Sequence, residues 1–148
     1  MSQLQHARSF RDLIVYQKAR AVTKRVFEIS KGFPREEMYS LTDQVRRSSR
    51  SVGAQITEAW AKRRYEKHFI SKLSDADGEQ QETQHWIETA ADCGYLKVET
   101  VQNLNAELSE IGRMLNSMME KAESFCGEAP NMVRESAIEY FTEGISDQ

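Results

Sequence analysis

The residues best placed by type and spacing to do chemistry are Glu82 and His85, in the run Glu82-Thr83-Gln84-His85. Glu-x-x-His sets a carboxylate and an imidazole one turn apart on a helix, and bundle proteins build di-iron centres from it. Such a centre takes two copies of the motif plus two further glutamates, all pointing inward. Only one copy is present here, and helical geometry puts Glu82 well off the core face of its segment and His85 almost opposite that face. A solvated or interfacial face is the stronger reading. His6 and His68 have no metal-like partners in sequence and are read as surface residues. Cys93 and Cys126 are far apart and follow neither metal nor redox spacing, so they are read as free thiols of a reducing cytosol. No nucleophile elbow, phosphate-cradling glycine loop or HExxH appears. The expectation is a cytoplasmic protein that is not an enzyme, with no cofactor, no metal and no evident small-molecule substrate.

The second chemical signal is basic charge. Arg46, Arg47 and Arg50 stand together, and Lys62, Arg63, Arg64, Lys67 and Lys72 crowd the stretch that follows, while Arg20, Lys24 and Arg25 come earlier. For any one of them a solvated face balanced by nearby acids is the simpler reading. Taken together they segregate from the acids, which gather toward the C-terminus. Arg46, Arg47, Arg50, Arg63 and Arg64 are therefore the candidates for contact with RNA or DNA. A net charge of −3 and a pI near 5.7 argue against a generic polyanion binder. Such a surface would be local, and assembly into a ring would multiply it.

The elements that must position these residues are helices. The 148 residues suffice for one core of ordinary size, and two prolines, seven glycines and 29% charged residues suit long solvated helices better than a sheet. No run approaches the roughly 20 apolar residues of a membrane span, and the N-terminus has no basic-then-apolar leader. The spacing predicts a first helix from about Phe10 to Lys31, with Val15, Ala19, Val22, Val26 and Ile29 inward and Gly32 and Pro34 as the stop. Ser40 with Asp43 forms a capping pair for a second helix, whose stripe is Leu41, Val45, Ser48, Val52, Ile56 and Ala59, ending at Lys62-Arg63-Arg64. A third, from about Tyr65 to Cys93, turns Phe69, Leu73, Ala76, Gln80, Thr83, Ile87 and Ala90 to one face and closes at Gly94. A fourth, from about Val98 to Ser124, repeats Val101, Leu108, Leu115 and Ala122 against Leu104, Ile111, Met118 and Phe125 in heptad register. Short connections make neighbours antiparallel, so the fold class is all-α, an up-down-up-down four-helix bundle. The bundle is expected over residues 10–125. Residues 1–9 form an N-terminal extension, and 126–148 an acidic tail that loses the heptad stripe, with a short helix over Val133–Phe141.

Apolar surface exceeds what one core needs. Leu13, Tyr16 and Phe27 lie on the side of the first helix away from its valine stripe, forming a second stripe. Trp60 and Trp86 lie on the flanks of the second and third helices, where aromatics either widen the core or mark an interface. Leu13, Tyr16, Phe27, Trp60 and Trp86 are the candidate contacts between copies of the chain, since an apolar stripe of this kind marks an interface. Conversely, Gln80 and Thr83 occupy core positions and must either bond across the bundle or face a wet interface.

Four blocks, FRDLIVYQKA, SLTDQVRRSSRSVGAQITEAWAKR, CGYL and EIGRMLNSMM, resemble in order the bacterial "four helix bundle protein" family. Its members include proteins encoded in intervening sequences of 23S ribosomal RNA genes, and a related branch is the accessory protein of diversity-generating retroelements. The likeness runs from about Phe10 to Met119. It implies a homopentameric ring of bundles and, for the retroelement branch, binding of RNA and reverse transcriptase through basic surface. Arg46 and Arg47 match the family's paired basic residues and Glu58 its acidic one. The chain departs from the pattern at Gly53, where proline is usual, at Ala59, where glycine is usual, and at Gln80 and Thr83, where leucine is frequent. Its acidic pI also departs from the strongly basic retroelement branch.

Overall fold

The chain's structure, a computed structural model, describes residues 7–127. Within them the three-four apolar spacing resolves into α1 (Ile14–Ser30), α2 (Leu41–Ala61), α3 (Glu66–Asp92) and α4 (Val98–Glu120), with no strand among the described residues. Cross-helix contacts give the directions. Tyr16 meets Gly53 while Thr23 bonds Ser49, and Ser48 bonds Thr83 while Glu58 pairs with Lys72. On the other side Gln84 bonds Ser109 while Asn105 bonds Glu88. In each pair one number rises as the other falls, so neighbouring helices are antiparallel, as the short turns require.

The first helix starts later than its stripe suggests. Ser9 and Asp12 form a capping box around a 3-10 turn, Phe10–Asp12, and Leu13 is extended before α1 begins at Ile14. Leu13 is therefore not part of an exposed helical stripe. It is 1% exposed and packs in the core, which corrects its expected place between copies. Ser40 does occupy the position before α2, but its side chain makes no cap to the helix. Instead Glu37 reaches forward, accepting from the Ser40 hydroxyl at 2.7 Å and from the Leu41 amide at 3.4 Å. The capping pair with Asp43 is thus replaced by a carboxylate lying before the helix, where the dipole favours it.

The core stripes of α2 and α3 are buried at every position named from the sequence, including Ser48, Gln80 and Thr83. Thr83 Oγ1 lies 2.9 Å from Ser48 Oγ and 2.8 Å from the Glu79 carbonyl, so its hydroxyl is partnered inside the bundle. Gln80 bonds Asp77 at 2.9 Å and accepts from Gln84 at 2.8 Å. It has room because Gly112 faces it from α4: a Cβ there would stand 2.6 Å from the Gln80 amide nitrogen. After α4 a 3-10 turn, Ala122–Ser124, delivers Phe125 to stack on Phe69 at 5.7 Å, closing the end of the core. Residues 1–6 and the helix expected over Val133–Phe141 lie outside the described residues.

Candidate interaction face on α1 and α2

Tyr16 and Phe27 sit eleven positions apart on α1, three helical turns, and so fall on the same side of it. Both are half-buried, and both line a groove between α1 and α2 with Ala21, Gly53 and Ala54 as its apolar floor. The Tyr16 ring packs directly over Gly53, its nearest carbon 3.6 Å from where a Cβ would stand, an ordinary van der Waals distance. Arg20, Lys24 and Arg50 stand along the same groove. Sequence reasoning separated an apolar set from a basic set; the fold puts members of both on one face.

The contacts are specific. Phe27 is approached by Lys31 at 4.7 Å, Arg46 at 4.8 Å and Arg50 at 5.9 Å from its ring centre. Cations over a ring face are held by its quadrupole, by about 0.5–1 kcal/mol each at exposed sites. Arg46 is fixed in addition by a 2.7 Å bond to Ser30 Oγ. Tyr16 packs edge-on against Phe10 at 4.9 Å and accepts a bond from Arg20 at 3.3 Å, which raises the Arg20 guanidinium above its ordinary value. The groove thus offers apolar floor, two aromatic rings and positive charge.

A model of the 23S rRNA-intervening sequence protein family matches residues 11–117. The chain belongs to that family. A solved structure similar to it is a protein of unknown function from the S23 ribosomal protein family of Bacteroides thetaiotaomicron. It is 29% identical, covering 74% of this chain and 98% of that chain, with a TM-score of 0.67. No curated protein matches the chain.

The other predicted residues of this family member are scattered. Trp60 is only 8% exposed and joins the core, which corrects its placing as a contact between copies; its ring widens the interior and is capped by Arg63 at 3.5 Å. Arg63 also donates to the Trp60 carbonyl at 2.9 Å, and burial lowers its pKa. Arg63 therefore serves the α2–α3 corner, with Arg64 exposed beside it in a shallow cleft that includes Tyr65 and His68. Arg47 is exposed on α2 and pairs with Asp43 at 3.8 Å. Trp86 lies on another face, half-buried beside Tyr39, with its indole N–H donating to Glu82 at 3.0 Å. Glu82 and His85 are both exposed, and His85 rests edge-on against Trp86 at 4.7 Å. Among the described residues no set of three His, Cys, Asp or Glu could hold a metal ion, and no helix is long and apolar enough to cross a membrane. Sequence reasoning missed Gly53, Ala21 and Thr57 as groove residues. Small residues at positions 53, 54 and 57 of a helix otherwise rich in arginine were the available signal.

Proposed function

We propose that this chain is a non-enzymatic structural subunit of the cytosol that joins copies of itself into a ring, with the α1–α2 groove as its receiving face. One observation carries the reading: Tyr16 and Phe27 stay half outside the core, over an apolar floor, within a band of cations. A face so charged is a poor match for its own image, because a two-fold contact would bring Arg20, Lys24 and Arg50 against their equivalents. Copies then meet head to tail, groove against a different surface, and a head-to-tail contact that closes makes a ring. The family resemblance supports five copies. Light scattering in line with size-exclusion chromatography should give a mass near five subunits. Phe27→Asp should keep the helical circular-dichroism spectrum while dropping that mass to one subunit. A wild-type chain of one-subunit mass at micromolar concentration overturns the reading.

The three cations around Phe27 favour a second reading, a site for single-stranded RNA or DNA. A base stacks on an exposed ring while neighbouring cations neutralise its phosphates. Binding of this kind weakens steeply with salt, and Arg46→Glu with Arg50→Glu should lower oligonucleotide affinity by roughly tenfold or more at low salt. Affinity indifferent to salt, or to that double change, sets the reading aside.

A further inference from the structure

We infer that the surface each copy seats in its neighbour's α1–α2 groove is the turn ahead of α2, Met38 and Tyr39, with Trp86 of α3 behind it. The pairing rests on the ring reading and supplies the partner surface that a head-to-tail contact needs.

Exposure singles the turn out. Tyr39 is 91% exposed and Met38 49%, and among the described residues no large apolar side chain is more open to water than Tyr39. Both follow the 3-10 turn Arg35–Glu37. Tyr39 shares a shallow surface with Leu41, Gln44 and, from α3, Trp86 and Thr89. The support is ordered. The Trp86 indole N–H donates to Glu82 at 3.0 Å, and the Glu37 carboxylate accepts from Ser40 at 2.7 Å and from the Tyr95 hydroxyl at 2.9 Å. An aromatic ring left in water on a fixed base gains by entering a partner's pocket, and rings of this kind dominate contacts between chains.

Charge decides which surface of the neighbour receives it. The groove carries Arg20, Lys24 and Arg50 and no carboxylate in its lining. Around the turn stand Glu36, Glu37, Asp43 and Glu82 against Arg35 and Arg47, and Arg47 is already paired with Asp43 at 3.8 Å. Groove on groove sets cation against cation, and turn on turn sets acid against acid; groove on turn is the match. Guanidinium planes stack on aromatic faces, so Arg20 and Arg50 can flank an inserted Tyr39 ring above the floor of Ala21 and Ala54. The two surfaces share no residue, so one copy gives and receives at once. The groove lies where α2 meets α1 and the surface of the turn where α2 meets α3, on neighbouring sides of the bundle. Each contact therefore turns the next copy, and head-to-tail contacts that turn can close a ring.

The test mixes two broken copies of the full chain. Tyr39→Lys puts a cation on the turn and leaves the groove whole, while Phe27→Asp spoils the groove and leaves the turn whole. Each alone should keep the helical circular-dichroism spectrum and fall to one-subunit mass in light scattering. Mixed in equal amounts they should reach two-subunit mass and stop there, since one intact turn meets one intact groove. A single link lacks the reinforcement of a closed ring, so the mixture is read at the highest soluble concentration. Absence of a two-subunit species there overturns the pairing, as does a Tyr39→Lys chain that keeps the wild-type mass. The ring reading fails separately. A wild type of one-subunit mass removes both, whereas a loss of mass in Phe27→Asp but not in Tyr39→Lys keeps the ring and removes this pairing alone.

Discussion

The α3–α4 side and the α1–α2 side of this bundle both carry grooves, and they are chemical opposites. Between α3 and α4 the polar side chains answer one another. Gln80 bonds Asp77, Gln84 bonds Gln80 and Ser109, Gln81 bonds Asp77, and Asn116 donates to the Gly112 carbonyl at 2.8 Å. Between α1 and α2 the lining is rings, small residues and cations. Polar groups at core positions, which draw the eye in a sequence, are here part of the packing, because burying them demands partners and the partners are local. Apolar rings on the flank of a helix cannot be satisfied that way. Beyond the cations that lie over them, their further gain is from more surface removed from water, at about 25 cal/mol per Å² of apolar area. That difference leaves unsatisfied apolar surface on the first pair of helices and a satisfied polar layer on the second.

The comparison breaks first at Leu13. If the fold rather than assembly owns this residue, Leu13→Ala should cost about 2–5 kcal/mol in urea unfolding, as for other fully buried leucines. Phe27→Asp, on the exposed side of the same helix, should cost well under half of that while changing the mass. Equal losses of stability would mean the groove is part of the core. Next comes the polar layer. Thr83→Val keeps the shape but removes the hydroxyl shared with Ser48, and should cost about 1–3 kcal/mol with no change of mass. A fall in mass without loss of stability would move the interface to α3.

How much of this was legible follows from the kind of signal. The stripes of α2 and α3 were readable position by position, because periodicity responds to burial whatever the residue type, and Ser48 and Thr83 fell on it as plainly as Val52. The start of α1 was not read, although Ser9 and Asp12 carry the capping-box spacing; extending the helix back to Phe10 turned Leu13 outward by assumption. Trp60 was ambiguous because a flank position on a helix wheel says nothing about what stands next to it, and the α2–α3 corner brings Arg63 over its ring. The groove itself was half legible. Tyr16 and Phe27 were marked as surplus and Arg46 and Arg50 as basic. That they share a face depends on how α1 and α2 are rotated against each other, which no single-helix pattern contains. Gly112 was silent for the same reason, since its role is to leave space for Gln80 on another helix.

The smallest effect expected separates the two sides by their response to pH. Glu37 ties the start of α2 to the turn after α3: it accepts from Ser40, from the Leu41 amide and, at 2.9 Å, from the Tyr95 hydroxyl. The Ser40 bond first, and then the Tyr95 bond, hold its carboxyl below the ordinary value of 4.5. A depressed carboxylate pKa stabilises the folded state above 4.5, and this contribution is lost as pH falls through the lower folded value. Tyr95 is the mirror case. The bond to Glu37 pushes its hydroxyl up to about 12 from 10.0, so its contribution is whole below 10.0 and fades as pH climbs toward 12. The latch is therefore intact across the range between, and acid should loosen it, whereas the α1–α2 face carries no carboxylate in its lining. Amide exchange at Leu41 should accelerate on acidification once expressed relative to the intrinsic exchange rate, while exchange in α1 between Tyr16 and Phe27 should not. In a carboxyl titration Ser40→Ala should return Glu37 closer to 4.5 than Tyr95→Phe does, because the Ser40 bond is the larger cause. If both variants leave the Glu37 titration unmoved, the latch is not formed in solution, and the turn after α3 is held to the α1–α2 connection by Phe33 packing on Tyr95 at 5.6 Å instead.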